Sequence, residues 1–193
     1  MNKNWLAILS LLMTVLLIIS TFLFWQDKNI EFIYYNILFF IILLFIAATN
    51  RRFNLGGPVL LALLLLVLMH LSGGLIMIDG IRLYDVSLGP LPFDKIHHFV
   101  IGMVFAFLTA SLFIDALRWK ISKPRLFFFF VILAALGFGA IVEIFELIGV
   151  TLFHSSGVGD YFNNATDLVA DLLGAAAGAA IMLYINGKKV KFF

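Results

Sequence analysis

The chain contains no cysteine, which removes disulfides, thiolate metal sites and a cysteine nucleophile from its chemistry and leaves the redox compartment unmarked. Charge is scarce too. Only 12% of residues are Asp, Glu, Lys or Arg, against 63% apolar, a balance far outside the range of soluble domains. No P-loop, Gly-x-Ser-x-Gly or His-Glu-x-x-His occurs, so soluble-type nucleotide, serine-esterase and zincin chemistry have no support. The few basic residues are spread over short loops, which argues against nucleic-acid binding.

Six apolar runs are long enough to cross a hydrocarbon core of about 30 Å, a distance that takes about 20 helical residues. They fall near Trp5–Trp25, Phe32–Thr49, Pro58–Ile78, Asp94–Ile114, Leu126–Val150 and Ala165–Ile185. The first has Lys3 ahead of it but no small-x-small cleavage site, so it reads as a retained anchor and not as a signal peptide. The expected fold class is all-α: a polytopic membrane protein whose six helices form one bundle and one transmembrane domain over residues 1–193. No long-period repeat is visible.

Six passes put both termini on one side. The N-terminus, second and fourth loops and C-terminus hold Lys3, Arg51, Arg52, Arg118, Lys120, Lys123, Arg125, Lys188, Lys189 and Lys191, which is ten of the thirteen Lys and Arg; the other side holds Lys28, Arg82 and Lys95. The positive-inside rule makes both termini cytoplasmic, in the cell membrane. All four histidines and ten of eleven acidic residues then belong to the outer side. Residues 79–93 and 151–164 there, rich in Gly, Pro, Ser and Asn, read as lids or connectors.

Polar residues on the helices mark the candidate site. An ionised group at mid-helix costs around 2.5–3.5 kcal/mol on insertion scales, so such groups face a bundle interior and a partner. Ala135, Gly139, Glu143 and Glu146 share a face of the fifth helix; Asp167, Asp171, Gly174 and Gly178 share one on the sixth, and Asp94, His98 and Gly102 one on the fourth. Small residues permit close approach in a bilayer, so the fourth, fifth and sixth helices are expected to meet along these stripes, with His70 entering from the third. Some of these residues have simpler roles open to them. Asp94 can cap the fourth helix, and Asn164 with Asp167 resembles an N-cap followed by a favourable acidic third position. His97 and His154 fit an interfacial role, Lys95 can snorkel to the headgroups, and Arg82 can pair with Asp79 or Asp85. Capping does not explain His70, His98, Glu143, Glu146 or Asp171, for which a structural hydrogen-bond network is the alternative to a binding or catalytic site.

Five carboxylates (Asp94, Glu143, Glu146, Asp167 and Asp171) beside Lys95 and two histidines cannot all stay ionised unaided. Either protons are retained or a cation is bound. An oxygen-rich set with imidazole suits Mg²⁺, Mn²⁺ or Ca²⁺, and Zn²⁺ if His70 and His98 both coordinate. At the outer headgroup level such an ion could activate water against a phosphorylated or lipid-linked envelope compound, with His98, Glu143, Glu146, Asp171, Asp94 and Asp167 as ligands and His70 or Asp160 as acid or base. Proton- or ion-coupled transport would use the same carboxylates, although no Gly/Pro-broken helix pair or inverted repeat is seen. A third reading is a non-catalytic membrane binding or accessory protein whose polar cluster is structural. The lipid bilayer is a partner in all three.

The motifs LMHLSGG around His70, FDKIHHFVIGM around Asp94 and His98, VEIFEL around Glu143 and Glu146, and GVGDYFNNATDLVADLLGA around Asp160–Asp171 resemble the YjdF-type family of uncharacterised bacterial inner-membrane proteins, over roughly residues 65–180, with helices 1 and 2 as preceding anchors. A looser likeness to VanZ-like proteins lies in the Asp-Lys-x-x-His start and the Asp-x-x-x-Asp-x-x-Gly run. The resemblance implies a small multi-pass module of the bacterial cytoplasmic membrane in which His70, Asp94, His98, Glu143, Glu146, Asp160, Asp167 and Asp171 act as a set. It implies no reaction.

Overall fold

The computed structural model describes residues 3–53, 55–116, 123–153 and 159–187. His154, Arg118, Lys120, Lys188, Lys189 and Lys191 lie outside the described residues. Six long helices carry the fold: α1 (Lys3–Gln26), α2 (Ile30–Phe53), α3 (Gly57–Leu75), α4 (Phe93–Ser111), α5 (Pro124–Phe153) and α6 (Tyr161–Gly187). Each holds a segment long and apolar enough to cross a membrane. Pro58 sits in the first turn of α3, where its fixed φ and missing N–H cost nothing.

Helix α4 is the centre of the bundle. In its spanning segment 67% of residues are buried, against 17% for α2. Large apolar side chains such as Leu11, Phe22, Phe45 and Leu147 are exposed on the outer helices, as expected where the solvent is lipid. Met13, Leu17, Phe24, Leu60, Val67, Val104, Phe127 and Val131 fill the core.

The closest packing joins α4 to α6, and glycine makes it possible. A Cβ at Gly174 would collide with the Phe99 carbonyl, and one at Gly178 would lie 2.7 Å from the Met103 carbonyl and 2.8 Å from the Ala106 methyl. With no hydrophobic force between helices inside a bilayer, such backbone proximity carries the association. Helices α1 and α2 are instead pinned by a polar contact: buried Asn36 donates from Nδ2 to Ser20 Oγ at 2.8 Å and Thr21 Oγ1 at 3.0 Å. Asn36→Leu should cost about 1 kcal/mol, read as a lower unfolding midpoint by scanning fluorimetry in detergent.

The spans differ from the expected ones at their ends. Helix α3 stops at Leu75, three residues early, because the chain turns into a hairpin, β1 (Met77–Ile78) with β2 (Ile81–Arg82). Asp79 and Gly80 form its loop with φ of 51° and 80°, the Asp-Gly pattern of a tight I′ turn. After a 3₁₀ turn at Leu83–Asp85, a second hairpin pairs β3 (Ser87–Leu88) with β4 (Leu91–Pro92) around Gly89. Residues 77–92 are therefore an ordered double hairpin. Arg82 joins it to α2 through Glu31 at 3.8 Å and to Asp85 at 3.2 Å, the second of these as expected. Since the α1–α2 turn and the start of α6 lie at this hairpin end, the start of α1 and the end of α6 lie at the other.

Candidate metal centre

The small-residue stripes bring α4, α5 and α6 together at the hairpin end, and His98 lies where they meet. Its imidazole is 1% exposed and has two carboxylates on each side. Nδ1 lies 3.5 Å from Asp171 Oδ1 and 3.8 Å from Glu143 Oε1; Nε2 lies 3.6 Å from Asp94 Oδ1 and 3.7 Å from Asp167 Oδ1. These separations are too wide for hydrogen bonds. Two groups of three have ligand atoms within 4.8 Å of one another, namely His98–Glu143–Asp171 and Asp94–His98–Asp167.

The two sides differ in how their oxygens are satisfied. On the Nε2 side, Lys95 Nζ donates to Asp94 Oδ2 at 2.8 Å, to Asp167 Oδ1 at 2.6 Å and to Asn163 Oδ1 at 2.7 Å, and Asn163 Nδ2 donates to Asp167 Oδ2 at 2.9 Å. One ammonium and one amide thus hold both carboxylates. On the Nδ1 side, both oxygens of Glu143, both of Asp171 and Nδ1 itself are buried without a hydrogen-bond partner. Five such atoms on three neighbouring side chains, one from each lying within 4.8 Å of the others, is an arrangement that ordinary folding does not leave unsatisfied. Two glycines shape the place: a Cβ at Gly139 would run into the Asp171 carboxylate, and one at Gly102 into the Asp171 backbone carbonyl.

The fit to a cation is geometric as well as electrostatic. Nδ1 lies 3.5 and 3.8 Å from the two carboxylate oxygens, and an octahedral ion with bonds near 2.0–2.1 Å, whose neighbouring donors sit roughly 2.9 Å apart, would draw them closer by less than about 1 Å. With Nδ1 as ligand, Nε2–H points to Asp94 and Asp167. That is the carboxylate–histidine–metal arrangement that fixes tautomer and ring orientation.

Several expected members of the set lie elsewhere. His70 belongs to neither three-residue group. It is buried among Phe32, Phe39 and Tyr35, with its ring 5.9 Å from His97, so the two-histidine condition for Zn²⁺ is not met. Glu146 is buried but belongs to neither three-residue group; three residues on from Glu143, it turns toward a cavity beside α2. Asp160 is exposed at the start of α6, where Oδ1 accepts the Asn163 N–H at 2.9 Å, an N-cap role. This start is four residues earlier than expected and places Asn164 inside the helix. Asp167 is consequently no capping residue: it is 1% exposed and ion-paired. Asp94 makes no side-chain cap of α4, whose N-cap is Pro92.

Four other residues complete the site. Lys95 is half-buried, with its Nζ turned into the cluster and not out to the headgroups, and His97 is 3% exposed, not interfacial. Asn163 stands four residues before Asp167, a helical spacing that could have signalled the pair. Tyr84 comes from the 3₁₀ turn with no sequence signal beyond a lone aromatic in a loop. Burial first, then the Asp94 and Glu146 carboxylates, push its phenol well above the ordinary value of 10.0, which keeps it a neutral donor. Its share of stability is then present below pH 10 and falls as the pH rises beyond it, because only the unfolded chain ionises there. An ultraviolet difference titration of wild type against Tyr84→Phe should show no phenolate from this residue near pH 10 while the fold is intact.

A family model described as Predicted membrane protein (DUF2238) matches residues 6–188. Among curated proteins and solved structures nothing matches, so the looser VanZ-like resemblance has no match behind it.

Proposed function

We propose, for a chain that belongs to the DUF2238 family of membrane proteins, the YjdF family, that His98, Glu143 and Asp171 bind one divalent cation through which the protein acts on a phosphorylated envelope compound. The observation that carries this reading is the set of five orphaned donor atoms on one side of His98, opposite a side whose carboxylates Lys95 already satisfies. One imidazole with two carboxylates favours Mn²⁺ or Mg²⁺ over an all-protein Ca²⁺ cage.

Held by His98, Glu143 and Asp171, such an ion would supply Lewis-acid polarisation of a phosphoryl oxygen and lower the pKa of a water. The chain's own residues do the rest. Asp94 and Asp167 orient His98, Lys95 holds that pair in place, and Tyr84 offers a neutral O–H toward the same end of the bundle. The basic-residue asymmetry supports an outward-facing site with both termini in the cytoplasm.

Metal analysis and calorimetry on purified protein test the first half, with about one Mn²⁺ or Mg²⁺ per chain expected. Release of inorganic phosphate from lipid-linked phosphates in detergent tests the second. A protein that binds neither ion is no cation site. One that binds an ion but instead moves it into sealed vesicles along a pH gradient is a transporter.

A further inference from the structure

Beside the cation cluster, α2, α3, α4 and α5 enclose a cavity of about 370 Å³, within the range of small-molecule sites. Along α2 it runs from Phe32 to Ile46, fourteen residues or ~21 Å. That exceeds the ~15 Å of one leaflet's hydrocarbon. Such a volume spread over such a length gives an elongated slot with room on the order of one hydrocarbon chain. Its back wall is buried, formed by residues such as Leu66, Ile101 and Phe105. Its mouth lies between α2 and α5, where Ile41, Ile42, Phe45 and Ile141 are 56, 37, 62 and 46% exposed. In a membrane this opening faces lipid, so the slot is filled from the bilayer.

The slot has polarity at one end only. Tyr35, His70, Tyr84, His97 and Glu146 line it toward the hairpins, and the remaining lining is aliphatic or aromatic apart from these. His70 and His97 are 4% and 3% exposed, yet His70 Nε2 and both ring nitrogens of His97 have no hydrogen-bond partner. Buried imidazole nitrogens left in this way call for a polar group beside them. A wholly hydrocarbon occupant would leave them unpaired, and a water-soluble one would gain nothing from ~21 Å of apolar wall.

We infer that this slot holds the single long hydrocarbon chain of an amphiphile drawn laterally from the membrane, with its oxygen-bearing head against His70, His97 and Glu146. The head then lies beside the cation cluster, since the His97 and His98 rings are 6.2 Å apart and Glu146 is one turn along α5 from Glu143. The Glu146 carboxylate accepts a hydrogen bond from a hydroxyl or a protonated acid head, or shares a cation with a phosphate. The use made of the head rests on the proposed function; the binding of the chain does not.

Parinaric acid, a fluorescent single-chain fatty acid, titrated into the full-length protein in nanodiscs tests this directly. One saturable site per chain is expected, displaced by a long polyprenyl phosphate and not by a diacyl phospholipid. Ile42→Trp, which blocks the mouth at a half-exposed position, should weaken binding at least tenfold; Leu11→Trp, on the lipid face of α1, should leave it unchanged. Cation affinity measured on Ile42→Trp reports separately and should equal that of wild type. Equal parinaric acid binding by Ile42→Trp and wild type, or equally good displacement by diacyl lipid, overturns the inference whatever the cation result. If the chain binds as expected and no cation does, the proposed function falls alone.

Discussion

Asp171→Asn combined with Glu143→Gln should reduce cation affinity at least 100-fold while leaving a folded protein. Each substitution keeps the shape of its side chain and removes the charge, so packing against Gly102 and Gly139 is preserved. Two of the three ligands then become neutral amides that bind a divalent ion poorly. Because both carboxylates are buried without hydrogen-bond partners, neutralising them should also raise the apo protein's unfolding midpoint. Asp94→Asn acts through His98 and not on the ion, and outer-shell losses of this kind run to roughly 10–100-fold. Calorimetry with Mn²⁺ on the three proteins distinguishes them. If the double variant binds as tightly as wild type, the ion is held elsewhere; if it loses stability and wild type binds nothing, the cluster is a structural network.

The second large effect concerns the α4–α6 contact. Gly174→Leu places a branched side chain where even a Cβ meets the Phe99 carbonyl. No rotamer relieves a backbone collision, so the helices must separate, at a cost of about 3 kcal/mol or more. Moving α6 away also withdraws Asp167 and Asp171 from His98. Unfolding midpoint and cation affinity should therefore fall together in this variant, whereas Gly137→Leu, at a glycine with nothing within 4 Å of its would-be Cβ, should change neither. A Gly174→Leu protein as stable as wild type would mean that α4 and α6 are not in contact as described.

Much of this was legible in the sequence because it depends on periodicity. The 4-3-4 spacing of Asp167, Asp171, Gly174 and Gly178 puts ligands and packing surface on one face of a helix whatever its neighbours do, and the three-helix meeting of α4, α5 and α6 follows from it. What one sequence cannot encode locally is the direction in which neighbouring faces point once the bundle is assembled. His97 and His98 are adjacent, about 100° apart around α4, so one faces α3 and the slot while the other faces the carboxylates. Spacing alone gives both the same weight, and His70 was grouped with the wrong one of them. Glu143 and Glu146 divide in the same way. Lys95 departs from expectation for a different reason: a lysine near a helix end ordinarily snorkels to water, and it is Asp167 and Asn163, 72 and 68 residues away, together with Asp94 that make the inward rotamer favourable. The hairpins had their signal in Asp79–Gly80, but flanking apolar residues extended the apparent third span over β1.

The start of α1 at Lys3 and the end of α6 at Gly187 lie remote from the double hairpin. A fluorescent reporter or affinity handle attached ahead of α1 or after α6 therefore joins the fold a bundle's length from the His98 imidazole. Its signal tracks the protein without competing for added metal, and a membrane-impermeant chelator applied to one surface of oriented vesicles reveals which surface the hairpins occupy.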